Sequence, residues 1–281
     1  MVSCIEAEAQ ERIDSIAVDL RDENLTQSSM AKEAISQAFD RAAKTYDAHA
    51  QFQRDVADWL MSEVASDLTG LHFLDLGCGT GYVAQQLIER GAHVTCVDLS
   101  QAMLDQAKAR LTSTQTRFVQ ADAECLPFAD QSFDGVVSSL ALQWCTELSH
   151  PLKEMKRVLK PNRQGLFTSL SEGSLYELKQ AWAEIDQHQH VNTFCHTNKI
   201  KIALQQVSPW DNSLHCRQFV IWYSSALSLM KDLKGIGATH VDGRSTGLTS
   251  RETLRDVERH YQRFAQPDGL PATYQVCLGI L

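Results

Sequence analysis

The chain of 281 residues lacks any C-x-x-C pair, although it contains eight cysteines. That absence leaves no zinc-ribbon or thioredoxin-like motif to build on. Cys78, Cys96 and Cys125 lie beside expected strands, where a free thiol packs as a small apolar group, and a reduced, cytoplasmic protein is the expectation. His188, His190, Cys195 and His196 match no standard zinc spacing, so no metal is expected. Long hydrophobic runs are missing too: none approaches the roughly 20 residues needed to span a bilayer as a helix, and no membrane partner is expected. Residues 1–29 carry seven acids and two bases with neither a basic start nor an apolar centre. They read as a flexible acidic extension and not as a signal peptide, with Met30 as an alternative natural start. Basic residues are scarce, 26 Lys and Arg against 35 Asp and Glu for a net charge of −9, which excludes nucleic acid as the principal partner. The deficit is uneven. Residues 1–150 hold 10 bases and 23 acids, whereas residues 151–281 hold 16 and 12. The C-terminal half is thus suited to an acidic protein, or is an ordinary fluctuation of surface charge. A length of 281 residues favours one elaborated domain, and a monomer is expected.

The most informative stretch that is present is FLDLGCGTG, residues 73–81. An apolar run ends in Gly77, Gly79 and Gly81, and a helical stretch follows. Such a strand end lets backbone approach a ligand closely. Seventeen residues further on, the apolar segment HVTCV ends in Asp98, placed to accept hydrogen bonds from a ribose diol. An adenosine-containing cofactor is implied. A dinucleotide site would require G-x-G-x-x-G, but here the third glycine falls one residue early and Tyr82 occupies the dinucleotide position. Asp75, two residues before the first glycine, suits a cationic ligand better than a diphosphate.

The organisation agrees. Apolar residues at Ile35, Ala38, Phe39, Ala42 and Tyr46 have helical spacing over residues 32–48, and a second helix is expected over 52–68. Strands are expected at 71–76, 92–97, 116–121, 133–139 and 165–170, alternating with helices at 81–90, 100–110 and 149–159. This alternation predicts a doubly wound parallel sheet with ligand sites at the strand C-termini. After Ser171 come helical stretches at 174–187 and 197–206, a strand at 218–224, a helix to about residue 234, and a loop with four glycines at 235–248. A helix at 250–264 and a strand at 273–280 close the chain. The division is therefore 1–29 extension, 30–70 N-terminal helices, 71–171 α/β core, and 172–281 cap with closing strands.

D-x-G-x-G-x-G followed by Asp98 resembles the class I S-adenosylmethionine-dependent methyltransferases. The resemblance implies a seven-stranded, mostly parallel Rossmann-like sheet, an N-terminal helical lid and a helical cap inserted before the last strands. It implies that Asp75, Gly77, Gly79 and Gly81 wrap the methionine part of S-adenosylmethionine and that Asp98 and Leu99 meet the ribose. Met103 would cover the adenine, Asp122 and Ala123 would meet its edge, and Leu140 would lie near the sulfonium. Core packing is the alternative for Met103 and Leu140.

The segments FDRAAKTYDAHA (39–50), SSLALQWC (138–145), EGSLYELKQAW (172–182) and LKGIGATH (233–240) are more specific. They resemble the malonyl-acyl carrier protein O-methyltransferases of biotin synthesis, from about residue 31 to the C-terminus. The resemblance implies methylation of the free carboxylate of a malonyl thioester on acyl carrier protein. A carboxylate is already ionised at pH 7 and needs no general base, so positioning and exclusion of water suffice. No Ser-His or His-Asp arrangement is apparent. Thr80 stands where members of the family often have proline, a change expected not to affect the chemistry.

The substrate carboxylate must be held by a cation or by hydroxyl donors. Tyr46 is the first candidate, because in related methyltransferases the Tyr of this helix meets the methyl-transfer site; the alternative is a residue that simply ends the helix's apolar stripe. Gln143 and Trp144 are expected to line the acceptor pocket. Arg41 either holds substrate or pairs with Asp40 or Asp47, and His49 reads as surface. Lys231 and Lys234, and Arg251, Arg255, Arg259 and Arg263 at four-residue spacing, are docking candidates for the carrier; with Glu252, Asp256 and Glu258 interleaved, the arginine stripe reads first as a salt-bridged solvated face. Competing readings are a methyltransferase for a small free acid such as aconitate, favoured by a closed Arg-lined pocket, and a non-catalytic cofactor-binding regulator.

Overall fold

The computed structural model describes residues 30–238 and 250–281. The acidic extension at 1–29 and most of the glycine-containing loop lie outside the described residues. Helix α1, formed by residues 30–42, is followed by α2 (Tyr46–His49) and α3 (Gln51–Ser62). The core then runs β1 (His72–Leu76), α4 (Tyr82–Glu89), β2 (His93–Asp98), α5 (Gln101–Arg110), β3 (Thr116–Gln120), β4 (Gly135–Ser139), α6 (Ser149–Val158) and β5 (Gly165–Leu170). Helices α7 (Tyr176–Ala183) and α8 (Thr197–Val207) precede β6 (Ser213–Tyr223). Helices α9 (Ala226–Gly235) and α10 (Arg251–Tyr261) precede β7 (Leu270–Ile280).

All seven strands form one sheet in the order β3-β2-β1-β4-β5-β7-β6. Strands β1 to β5 pair in parallel, whereas β7 is antiparallel to both β5 and β6. This is the expected fold. The chain reverses direction in strand order at β1 and β4, where α/β sheets bind ligands. One apolar layer packs Leu60, Leu87 and Leu104 on one face of the sheet, and another packs Leu152, Phe167 and Leu204 on the other. A third cluster, including Phe52, Trp182, Leu229 and Tyr274, joins α3, α7 and α9 to β7. Its anchor is Glu177, completely buried, whose carboxylate accepts from the Thr273 backbone N–H at 3.2 Å and from the Thr273 hydroxyl. A buried carboxylate is tolerated because these bonds replace water.

Three expectations change in detail. The helix expected over 32–48 is broken at 43–45, where the Thr45 hydroxyl donates to Ala42 O and to Gly235 O, each at 3.1 Å. Side-chain bonding of this kind competes with the helical ladder. The helix expected to reach residue 68 ends at Ser62, where the Arg90 guanidinium accepts the role of cap by donating to Met61 O and Val64 O at 2.9 and 2.7 Å. Strand β6 begins five residues earlier than expected because residues 215–218 are exposed and the segment before Phe219 has no apolar run to mark it. Cys216 and Cys277 sit directly opposite in the β6–β7 ladder, Cα atoms 4.2 Å apart, and form a disulfide. The expectation of uniformly reduced thiols is corrected at this pair.

Candidate active site

Four cavities adjoin one another along the C-terminal ends of the parallel strands and under α1. The first is lined by Gly77, Gly79, Asp98, Leu99, Met103 and Leu140, with Asp122 and Ala123 after β3. The second lies on the other side of the glycine loop, between Asp75 and Gly79 on the sheet and Tyr46, Gln53 and Arg54 on the N-terminal helices. The third, inner cavity has apolar walls from Phe52, Leu170, Leu175, Phe194 and Tyr274, and includes Gln53, Gln143 and Trp144. Tyr46 lines all three. A fourth, outer cavity shares His190, Leu233 and Ala238 with the inner one and is bordered by Arg41, Lys231 and Lys234.

The acids of the site are held in different ways. Asp98 Oδ2 accepts from Gly79 N–H at 2.9 Å and Oδ1 from Ser100 N–H at 2.8 Å. Burial raises its carboxyl to about 6, against the lowering effect of these backbone bonds. Each oxygen retains a lone pair for a ligand hydroxyl. Asp75 is 1% exposed, and its Oδ2 has no hydrogen-bond partner. Burial pushes its carboxyl up to about 7. A buried acceptor left unpaired is rare and costly, and this one borders the second cavity. An ammonium ligand would complete it. The chain therefore offers a cation acceptor at Asp75, a diol acceptor at Asp98 and an apolar slot at Leu99 and Met103, which fits an amino-acid nucleoside.

Leu140 takes a left-handed backbone, φ 50°, with its N–H donating to Thr168 O at 3.2 Å. Such strain in a non-glycine residue collects at functional sites, and Leu140 borders the first and inner cavities. Trp144 does the same and meets Phe39 edge-on at 5.4 Å. The Tyr46 hydroxyl titrates far above its ordinary range because of burial and the neighbouring Asp98 and Asp47, so it stays protonated and can donate.

Helix α1 holds the site by residues that the sequence reading did not select. Lys32 pairs with Asp122 at 2.6 Å and with Glu124. Ser36 donates to Leu99 O at 3.2 Å, and Asp40 accepts from Ser100 Oγ at 2.6 Å. The spacing of Lys32, Ser36 and Asp40, four residues apart, places them on one helical face and was the available signal. Asp47 accepts from Thr80 Oγ1 at 2.7 Å and also pairs with Arg110. The threonine at position 80 thus makes a bond that proline could not.

Other expected residues sit elsewhere. Gly81 caps α4 and borders none of the four cavities. Arg41 is exposed at the outer cavity; Asp40 and Asp47, its expected partners, bond instead to Ser100 and to Thr80 and Arg110. Lys234 is at the outer cavity as well. His49, expected at the surface, is half-buried and bonds Asp232 at 2.7 Å. His190 bonds Asp186 at 2.9 Å and stacks on Trp182 at 3.7 Å, and His196 pairs with Glu172. Of the arginine stripe, Arg259 pairs with Asp256 at 2.6 Å and Arg263 with Glu184 at 3.0 Å.

Residues 74–167 match the family model of a methyltransferase domain. The fold superposes on the YcgJ protein of Bacillus subtilis with a TM-score of 0.57, covering 81% of this chain and 97% of that one at 16% identity. Sheet order, site and domain match together define a class I methyltransferase. Over 254 residues the chain is 39% identical to the malonyl-[acyl-carrier protein] O-methyltransferase of Salmonella typhimurium, covering 89% of this chain and 97% of the relative. It is also 38% identical over 251 residues to the biotin biosynthesis bifunctional protein BioHC of Cellvibrio japonicus, of whose length it spans 49%. The chain belongs to the malonyl-[acyl-carrier protein] O-methyltransferase family.

Proposed function

We propose that the enzyme methylates the free carboxylate of a malonyl thioester on acyl carrier protein, with S-adenosylmethionine as donor, in biotin synthesis. The observation that carries this reading is the series of cavities. A basic outer mouth leads through an apolar inner cavity to Tyr46, where the two cavities flanking the glycine loop also end. A thioester on a long flexible arm needs such a passage, and an acidic carrier suits a mouth bearing Arg41, Lys231 and Lys234.

Bound at these residues, S-adenosylmethionine would supply an electrophilic methyl for the carboxylate oxygen, the electrons of the broken S–C bond remaining on sulfur. In this reading Asp75 binds the ammonium of the donor and Asp98 its ribose hydroxyls. Leu99 and Met103 pack on the adenine, and Asp122 and Ala123 meet its edge. Gly77 and Gly79 leave room for the methionine part, with Leu140 and Trp144 enclosing the reacting centre. Tyr46 donates a hydrogen bond at the junction and, with the apolar walls, excludes water. No residue has to remove a proton, because the acceptor arrives ionised. In-line positioning of this kind supplies roughly 7–11 kcal/mol of barrier lowering.

The inner cavity has no Arg or Lys among its described lining residues. That disfavours a small tricarboxylic acid such as aconitate, whose further charges would be buried unpaired. The decisive experiment incubates the enzyme with S-adenosylmethionine and malonyl-acyl carrier protein and follows the intact carrier by mass spectrometry. A gain of one methyl, absent with the acetyl carrier, is expected. No gain despite cofactor binding would overturn the reading. Charge reversal at Arg41, Lys231 and Lys234 together is expected to raise KM for the carrier about 10-fold at low salt, with a smaller effect on malonyl-pantetheine. Equal effects on both acceptors would show that the mouth does not recognise the carrier.

A further inference from the structure

Two of the residues lining the inner cavity, Gln53 and Gln143, each carry a buried side-chain oxygen with no hydrogen-bond partner. They come from distant parts of the chain: Gln53 from α3, and Gln143 from the single helical turn Leu142–Trp144 after β4. Most of the walls around them are apolar, among them Phe52, Leu170, Leu175 and Phe194; the other polar side chains lining the cavity include Tyr46, Asn192 and His190, the last of which bonds Asp186 at 2.9 Å. Unpaired polar groups in such surroundings are destabilising unless a ligand completes them. Gln53 and Tyr46 line the second cavity as well, so they stand at the junction of the two, whereas Gln143 belongs to the inner cavity and not to the second.

We propose that the carboxamides of Gln53 and Gln143, with the Tyr46 hydroxyl, form the receptor for the carboxylate that is methylated. The proposal rests on the malonyl-carrier reading and adds the groups that hold its anion. A carboxamide presents either oxygen or N–H₂ at the same place after rotation about its last bond, and the two are interchangeable in shape. With N–H₂ turned inward, each glutamine donates to a carboxylate oxygen, and its own orphaned position is filled.

Neutral donors are also the appropriate chemistry. During transfer the carboxylate loses its charge as it becomes an ester. An arginine in the cavity would stabilise the ionised ground state more than the transition state and so raise the barrier. Amides and a phenol hold the oxygen in line while leaving its lone pair available. The positive charge that balances the carboxylate then lies with the donor's sulfonium, which is consumed in the same step.

The test replaces each glutamine by methionine, which keeps length and volume but cannot donate, and by glutamate. Gln53→Met and Gln143→Met are expected to lower kcat/KM for malonyl-acyl carrier protein about 10- to 100-fold each, mostly through KM. For Gln143→Met, whose side chain lines only the inner cavity, binding of S-adenosylhomocysteine measured calorimetrically should stay within about twofold and reports that the fold is intact. Gln143→Glu gives a readout that a packing role would not move. When ionised it repels the acceptor, and when protonated it donates a hydrogen bond as the amide does. Its activity relative to wild type is therefore expected to rise as pH is lowered from 8 to 6. Wild-type methylation of the malonyl carrier with both Met variants within twofold of it would overturn the receptor alone. Absence of transfer by the wild-type enzyme would overturn the acceptor reading itself. If a Met variant loses product-cofactor binding, the pH profile of Gln143→Glu decides: a profile parallel to wild type overturns the proposal.

Discussion

Gly79→Ala is expected to leave the protein folded and to remove cofactor binding, whereas Gly77→Ala is expected to damage both. A Cβ at Gly79 would meet no protein atom within 4 Å, and it would project into space beside the glycine loop that the proposed donor requires. The cost to the fold is the left-handed backbone, φ +52°, about 1–2 kcal/mol. A Cβ at Gly77 would stand 2.2 Å from Ala141 Cβ. Relief must move either the loop, whose Gly77 N–H donates to Val97 O at 2.7 Å, or the Leu140–Ala141 segment. Both border the first cavity. Overpacking and strain together are expected to destabilise by roughly 2–5 kcal/mol. Thermal unfolding and titration with S-adenosylhomocysteine separate the cases. A Gly79→Ala protein that binds within tenfold of wild type would contradict the placement of the ligand against this loop.

These glycines show how the sequence was read well at one level and poorly at another. The triplet marked the strand-to-helix turn and the cofactor class, because the pattern itself requires backbone freedom. It could not distinguish three causes. Gly79 faces open space, Gly77 meets Ala141 from a segment sixty-four residues later, and Gly81 packs near Leu111 and Ala107, with contacts of 3.0 and 3.2 Å for an added Cβ. Only the first concerns a ligand directly. The same limit applies to α1. Its apolar stripe was legible by period, but the partners of its polar face were not, and Lys32 bridges to Asp122, ninety residues away. Pairings of that separation depend on the sheet order and leave no local trace. Gln53 was missed for a related reason: an isolated glutamine on a helix has no distinguishing pattern, and its significance comes from the apolar walls that other elements bring around it. By contrast, the parallel strands were accessible because strands covered on both faces carry near-continuous apolar runs. Half-exposed β6 lacked that signal in its first residues.

Asp75→Asn is expected to stabilise the ligand-free protein at alkaline pH while weakening cofactor binding about 100-fold or more. The Asp75 carboxyl is raised by burial from 3.8 to about 7. The folded state therefore holds a proton that the unfolded chain has released between those values. Stability contributed by Asp75 is fully present below pH 3.8 and is lost as pH rises through about 7. Compared with Asn, which keeps the shape and never ionises, the wild-type chain should lose on the order of 2–4 kcal/mol across this interval. Other carboxylates titrate in the same range, so the informative quantity is the difference between the two proteins at each pH. Cofactor binding should run in the opposite direction. An ammonium at Asp75 Oδ2 favours the ionised form, so wild-type affinity rises with pH toward a plateau above 7, while the Asn variant shows neither the rise nor the affinity. A variant that is stabilised at pH 8 yet binds S-adenosylhomocysteine like wild type would mean that the orphaned carboxylate is not the ammonium acceptor. A residue that weakens the empty protein and strengthens the occupied one would make Asp75 the point where cofactor loading and stability are coupled, and thermal shift by the cofactor should then grow between pH 6 and 8.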